Sequence, residues 1–455
     1  MSKARFVGVI EVGKARASVH VVDLDQIGIV ASRTRQNAVQ RGSPYPHFDT
    51  DALWAFFCES LAELSRGQRI DALSVTTHGA TAALVDGAGD LALPVMDYEF
   101  TGPEVLSAEY DAVRPDFAEG YSPRLPAGLN LGAQLFWQAR RFPEAFARTR
   151  WILPYPQYWS FRLTGTPAAE MGSLAYHTDL WDFGTDLYSS LVMREGWVER
   201  MPEVCRPDTC LGLTSPAVTA RCGFTRAIPV FSGIQDANAT LLAHLLKREQ
   251  PFAVVSSQVW VVVSAPGGDL EGLDPSRDTL VSIDAFGRHV PVSRFMGGRE
   301  WDNLTGGLAV DPSPATVARV LDQKIMLLPS LTEGSGPFQN HHARWTVPRD
   351  RLDTETLNVV ASFYLALMTA ECLRLVGAEG PIVLEGRFAF NTCYGSMLAA
   401  ATGRKVQPNR RGASGTVVGA ALLARMEPPL EPPTEAISPP PPGYAEYAAI
   451  WRKRA

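Results

Sequence analysis

Six cysteines in 455 residues, none in a Cys-x-x-Cys pair, provide neither a structural zinc ligand set nor a disulfide framework. Cys205, Cys210 and Cys222 fall near one another in the chain with no histidine close by, and they read as reduced structural thiols. A basic surplus is also missing. Lys and Arg number 42 against 48 Asp and Glu, a net charge of -6, which excludes the positive footprint that a general nucleic-acid binder needs against phosphates. No apolar run approaches the roughly 18 uninterrupted residues of a membrane-crossing helix. The opening MSKARFVGVIEVGKARAS meets a glycine turn before a secretory apolar core can form. A cytoplasmic protein is expected, without nucleic-acid or membrane partners.

What is present is the composition of a soluble enzyme, 46% hydrophobic and 20% charged. The length exceeds the roughly 250 to 300 residues at which single cores stop growing, so two large domains are expected. Strand-like ARFVGVIEVG, RASVHVVDLD and IDALSVTTHG alternate with the helical spacing of DALWAFFCESLAELSR, an α/β plan. That plan restarts after residue 250: FAVVSSQVWVVVSAPGG reads as strands around a turn, LNVVASFYLALMTAECLRLVG as a long helix and PIVLEG as a buried strand. The halves are therefore a coarse internal duplication, with domains at 1–246 and 247–426 and a hinge near AHLLKREQP. Beyond Met426, EPPLEPPTEAISPPPPG excludes helix and central strand. Residues 427–455 read as an extended strap closed by a short docking helix, YAEYAAIWRKRA.

Several segments carry candidate chemistry. In VIEVGKARASVHVVD two β-rich stretches flank a turn centred on Gly13, with Glu11 at the bend and Lys14 beside it. In VFSGIQDANATLLAHLL a strand ends at Phe231, Ser232 and Gly233 turn, and Asp236 opens a helix. There the macrodipole and free N–H groups favour an anion, and by itself the segment describes a helix cap. TTHGATAALVDGAGD leaves a strand through His78-Gly79-Ala80, and PVMDYEF supplies Asp97, Tyr98 and Glu99. QYWSFRLTG is a helix followed by a polar turn with Glu170, Ser173, His177 and Asp179. Taken singly, His177 and Trp159 read as core residues.

In order along the chain, the hairpin at Glu11, the THGA turn, the QYWxxxLTG helix, the GxxDxxA segment around Asp236, and the C-terminal LEGRFAFN and GASGTVVGAALLA resemble sugar kinases of the FGGY family, within the actin-like ATPase superfamily. The resemblance covers roughly residues 5 to 425. It implies an α/β fold of two ribonuclease-H-like domains around a central cleft, with ATP and Mg2+ as cofactors and a small sugar as substrate. Asp236 inherits the general-base role. His78, Gly79, Tyr98, Gln235 and His177 are expected near the sugar. Glu11, Gly13, Lys14, Ser257, Gly386, Asn391 and Gly415 are expected near the nucleotide, with Glu11 and Asp236 near the metal.

The sequence departs from the family at both phosphate turns. Where relatives have Asp-x-Gly-x-Thr-x-x-Lys, Glu11, Gly13, Ala15 and Ser18 stand here; where they have Ser/Thr-Gly-Thr, Ser256-Ser257-Gln258-Val259 stands. Two readings stay open, a kinase with relaxed nucleotide geometry and a kinase-like sugar binder that no longer transfers phosphate. The THGA and HTDLW details resemble the rhamnulose and fuculose kinase side of the family, so a 6-deoxyketose or pentulose is the expected acceptor. A homodimer is the default expectation for an enzyme of this size.

Overall fold

The structure, a computed structural model, describes residues 3–410, 415–428, 435–437, 440 and 442–455. It divides into two compact units. The first comprises Met1–Lys247, Val281–His289 and Ala413–Glu431, and the second Arg248–Leu280, Val290–Gly412 and Pro432–Ala455.

The first unit is built on a seven-stranded sheet whose neighbours run Cys210–Leu213, Pro229–Phe231, Ala72–Thr77, Phe6–Val12, Arg16–Asp23 and Gly28–Gln36, with Ile234–Gln235 also pairing to Ala72–Thr77. Phe6–Val12 and Arg16–Asp23 form an antiparallel hairpin, and Ala72–Thr77 runs parallel to the first of these strands. Alternation along the strand decides which face each residue serves. Ile10 and Val12 join Val19, Val21, Phe57, Leu61, Tyr155, Tyr158 and Trp159 in one core. Val7 and Val9 join Val22, Ala239, Leu242, Val417, Val418 and Ala421 in another. Period two then puts Glu11 on the Val7–Val9 face, the face covered by helix Asp236–Leu245.

The second unit repeats this arrangement. In its six-stranded sheet Ala253–Ser257 pairs antiparallel with Val261–Ser264 and parallel with Ile382–Gly386, the same hairpin-plus-parallel-strand motif that opens the first unit. Helix Thr354–Leu375 is long and apolar enough to cross a membrane by length and composition, yet 94% of its apolar window is buried inside the protein. It forms the heart of the second core. The C-terminal helix Tyr444–Arg454 docks there through the Tyr447 hydroxyl and Trp451 Nε1, which donate to Ile325 O and Leu327 O at 2.6 and 2.7 Å.

Two local expectations differ from the structure. Helix Gly415–Leu422, placed with residues 247–426 by the sequence, packs on helix Asp236–Leu245 in the first unit. The contact is close: a Cβ on Gly419 would lie 1.7 Å from Ala239 O. Glu11 sits inside a strand rather than at the bend, which is made by residues 13–15. Residues 411–414 of the last glycine motif, and 429–434, 438–439 and 441 of the proline-rich strap, lie outside the described residues.

Candidate active site

The site forms where the strand ends of the first sheet meet the Asp236 helix. Strand Pro229–Phe231 stops at a turn in which Gly233 has φ +92 and a Cβ would stand 2.8 Å from Val75 O, so only glycine suits the position. Helix Tyr155–Thr164 fastens this turn from below. Gln157 Nε2 donates to Ser232 O and Gly233 O, both at 3.1 Å, and the Ser160 hydroxyl donates to Phe231 O and Ser232 O at 3.1 and 3.0 Å. The QYWxxxLTG segment thus holds the backbone that presents Asp236.

Asp236 is the first helical residue and not the cap. Gln235 caps, its Oε1 accepting from Asn238 N at 3.2 Å. With the capping role filled, the Asp236 carboxylate accepts from Ala237 N at 2.8 Å. Burial pushes its carboxyl up to about 7, the Ala237 amide opposes this, and the charge of nearby Glu11 adds to it. A carboxylate poised near neutrality is suited to accept a proton from a hydroxyl. Gly79 packs against Gln235, whose Nε2 would be 3.4 Å from a Cβ there. His78, Gly79, Tyr155, Ser173 and Gln235 line a small cavity.

His78 is buried among the rings of Phe48, Tyr98 and Tyr155, at centroid distances of 5.3, 5.2 and 5.3 Å. Its Nδ1 lies 3.0 Å from Gly79 O. A carbonyl only accepts, so Nδ1 carries the proton and Nε2 is an acceptor. That Nε2 is buried and has no hydrogen-bond partner among the described residues. Burial holds the ring's pKa down to about 4, so it is neutral at physiological pH. Nearby Glu170, buried, accepts from Gly172 N, Ser173 N and the Ser173 hydroxyl at 2.7–2.8 Å, and burial raises its carboxyl to about 7.

The other predicted residues divide. Glu11 shares the Asp236 face and holds His20 Nε2 at 3.1 Å through Oε2. His20 is its diagonal neighbour across the hairpin, a partner that follows from strand register and that sequence reasoning missed. Gly13 has its amide on Arg16 O at 2.8 Å and its carbonyl on Asn37 Nδ2 at 2.8 Å. Lys14 turns to Asp97 and Glu99. His177 Nδ1 bonds Leu129 O at 2.7 Å, and Asp179 is held by Arg114 and Tyr110. In the second unit Ser257, Gly386 and Asn391 cluster. The Ser257 hydroxyl donates to Glu385 O at 2.6 Å and accepts from Phe388 N at 3.0 Å. Gly386 has φ +79, and a Cβ would lie 2.3 Å from Ser257 O. Asn391 caps helix Thr392–Thr402 and donates to the Ser362 hydroxyl. Gly415 begins its helix.

These duplicated sheets make the protein a two-domain α/β member of the actin-like ATPase fold, the fold of a ligand-bound xylulose kinase from Lactobacillus acidophilus, which superposes with a TM-score of 0.80 at 14% identity over 98% of this chain and 96% of that one. A carbohydrate kinase from Novosphingobium aromaticivorans is 30% identical and superposes with a TM-score of 0.87, covering 100% of this chain and 99% of the other. Residues 249–432 match the family model described as carbohydrate kinase FGGY, C-terminal domain. The chain belongs to the FGGY family of carbohydrate kinases. An L-fuculokinase of Salmonella typhi is 22% identical over 264 residues, a match that spans 56% of this chain and about half, 55%, of that protein.

Proposed function

We propose that the protein transfers the γ-phosphate of ATP to a hydroxyl of a small ketose or 6-deoxyketose, with Asp236 as general base. The observation that carries this reading is the Asp236 carboxyl, raised to about 7 and placed next to Gln235, which packs against Gly79, after a turn held by Gln157 and Ser160. The sugar hydroxyl loses its proton to Asp236 as its oxygen bonds the γ-phosphorus, and the bond from that phosphorus to the β–γ bridging oxygen breaks, releasing ADP. His78 Nε2, a buried acceptor without a partner among the described residues, suits a second sugar hydroxyl, and Tyr98 meets the same imidazole edge-on. The donor set fits Mg2+, which takes one or two carboxylates beside substrate phosphates: Glu11 Oε1 accepts no hydrogen bond among the described residues, and Asp236 lies close enough to feel the Glu11 charge. When bound, the metal would be held by Glu11 and Asp236 and would neutralise charge on the transferring phosphoryl.

The test is ADP release from ATP and Mg2+ with a panel of ketoses that includes xylulose and L-fuculose. Sugar-dependent release, lost in Asp236→Asn, supports the reading. A second reading, sugar binding without transfer, is favoured by the occupied Gly13 amide, Lys14 ammonium and Ser257 hydroxyl. Sugar-induced thermal stabilisation with no nucleotide binding would establish it instead.

A further inference from the structure

A lysine in the turn of a phosphate hairpin invites the role of phosphate ligand, yet Lys14 faces elsewhere. Its ammonium is ion-paired with buried Asp97 and lies 3.5 Å from Glu99. It also stands 4.5 Å above the Tyr98 ring and 5.6 Å from that of Phe48. Tyr98 in turn meets the His78 ring edge-on, and Phe48 touches the same imidazole. The segment that carries Tyr98 has further ties: Asp97 N donates to Pro46 O, Asp97 Oδ1 accepts from Glu99 N, and Gly128 N donates to Tyr98 O. None of these reaches across to the hairpin. Lys14 links the hairpin turn to residues 97–99.

We propose that Lys14 is a positioning residue for the sugar: it braces Tyr98 against His78 and so shapes the acceptor pocket, rather than gripping nucleotide phosphate. Two opposed carboxylates and an aromatic face satisfy an ammonium well, and they hold it on the sugar side of the turn. The inference rests on the kinase reading for its kinetic arm only.

The experiment compares wild type with Lys14→Met, Lys14→Gln and Lys14→Arg, with xylulose and L-fuculose as acceptors. Loss of the charge is expected to raise the acceptor KM about tenfold, the size of one cation–π and ion-pair contact, while kcat and the KM for ATP stay within about threefold. Arginine, which keeps charge and ring contact, should restore most of the acceptor KM. A phosphate ligand gives the opposite split: a raised KM for ATP or a fall in kcat of that size with the acceptor KM unmoved overturns the proposal, and so does an equal rise in both KM values. The second arm needs no activity. In ligand-free protein at neutral pH, the His78 ring signals, assigned by their loss in His78→Gln, should shift in Lys14→Met and Lys14→Gln and return in Lys14→Arg. Unmoved signals overturn the brace. If wild type turns over neither sugar, the kinase reading fails and the ring signals alone decide the role of Lys14.

Discussion

Replacing Asp236 with Asn separates the general-base role proposed for the carboxylate from what the carboxylate costs the fold. In the folded state its carboxyl is raised from 3.8 to about 7, with burial the largest cause. Between those values the folded chain holds a proton that the unfolded chain has released. Stability therefore falls as pH rises from about 4 to about 7 and levels off above. At 1.36 kcal/mol per tenfold, the full displacement corresponds to about 4 kcal/mol. The side chain is only partly buried, so solvent screening reduces the expressed cost to about 1–2 kcal/mol. Asn keeps an oxygen for the Ala237 amide and removes the charge. Melting of ligand-free wild type and Asp236→Asn should then coincide near about pH 4 and separate as pH rises, with the variant more stable by a few degrees near about pH 8. Turnover should move the other way, falling about 10²–10⁴-fold. In wild type, kcat/KM should climb with pH to about 7 and then flatten, because the base works only when deprotonated. A variant less stable than wild type at alkaline pH, or a difference that ignores pH, would refute the account of a carboxylate held against its burial.

Three further outcomes follow from single contacts. Gln157→Ala removes two buried hydrogen bonds from the Ser232–Gly233 turn; a loss of about 1–3 kcal/mol in denaturant melts should accompany a raised acceptor KM. Ser257→Ala leaves Glu385 O and Phe388 N without their shared hydroxyl, so stability should drop by about 1–3 kcal/mol while the KM for ATP changes little. Gly419→Ala drives a methyl into Ala239 O, and the resulting separation of two packed helices should cost about 1–3 kcal/mol or more, read as a lowered melting temperature.

The Asp236 helix was legible because its signals are local. A strand ending in Ser232-Gly233, followed by a polar pair and then an apolar run, describes strand, turn and helix within fifteen or so residues. The cap was not legible, since Gln235 does the work that the common preference for aspartate assigns to its neighbour. Glu11 could be placed on a face by period two, but its pairing with His20 needs the hairpin register. Gly386 attracted a nucleotide role by motif, and Gly419 lies in the last glycine motif. In the folded chain each is required by a backbone oxygen, Ser257 O and Ala239 O respectively, that a Cβ would strike.

Periodicity, turn chemistry and the restart after residue 250 are properties of neighbouring residues, so the α/β alternation, the duplicated plan and the start of the Asp236 helix could be read from the order of amino acids alone. Which partner claims a polar group is another matter. Lys14 and Asp97 stand 83 positions apart and Ser257 and Phe388 131 apart, and helix Gly415–Leu422 joins the unit that opens the chain. An ammonium, a hydroxyl or an amide binds whatever acceptor or donor the fold brings within about 3 Å, and no local pattern encodes that meeting. Tertiary packing alone therefore decided that the residues most suggestive of phosphate, Lys14, Gly13 and Ser257, have partners within the protein itself.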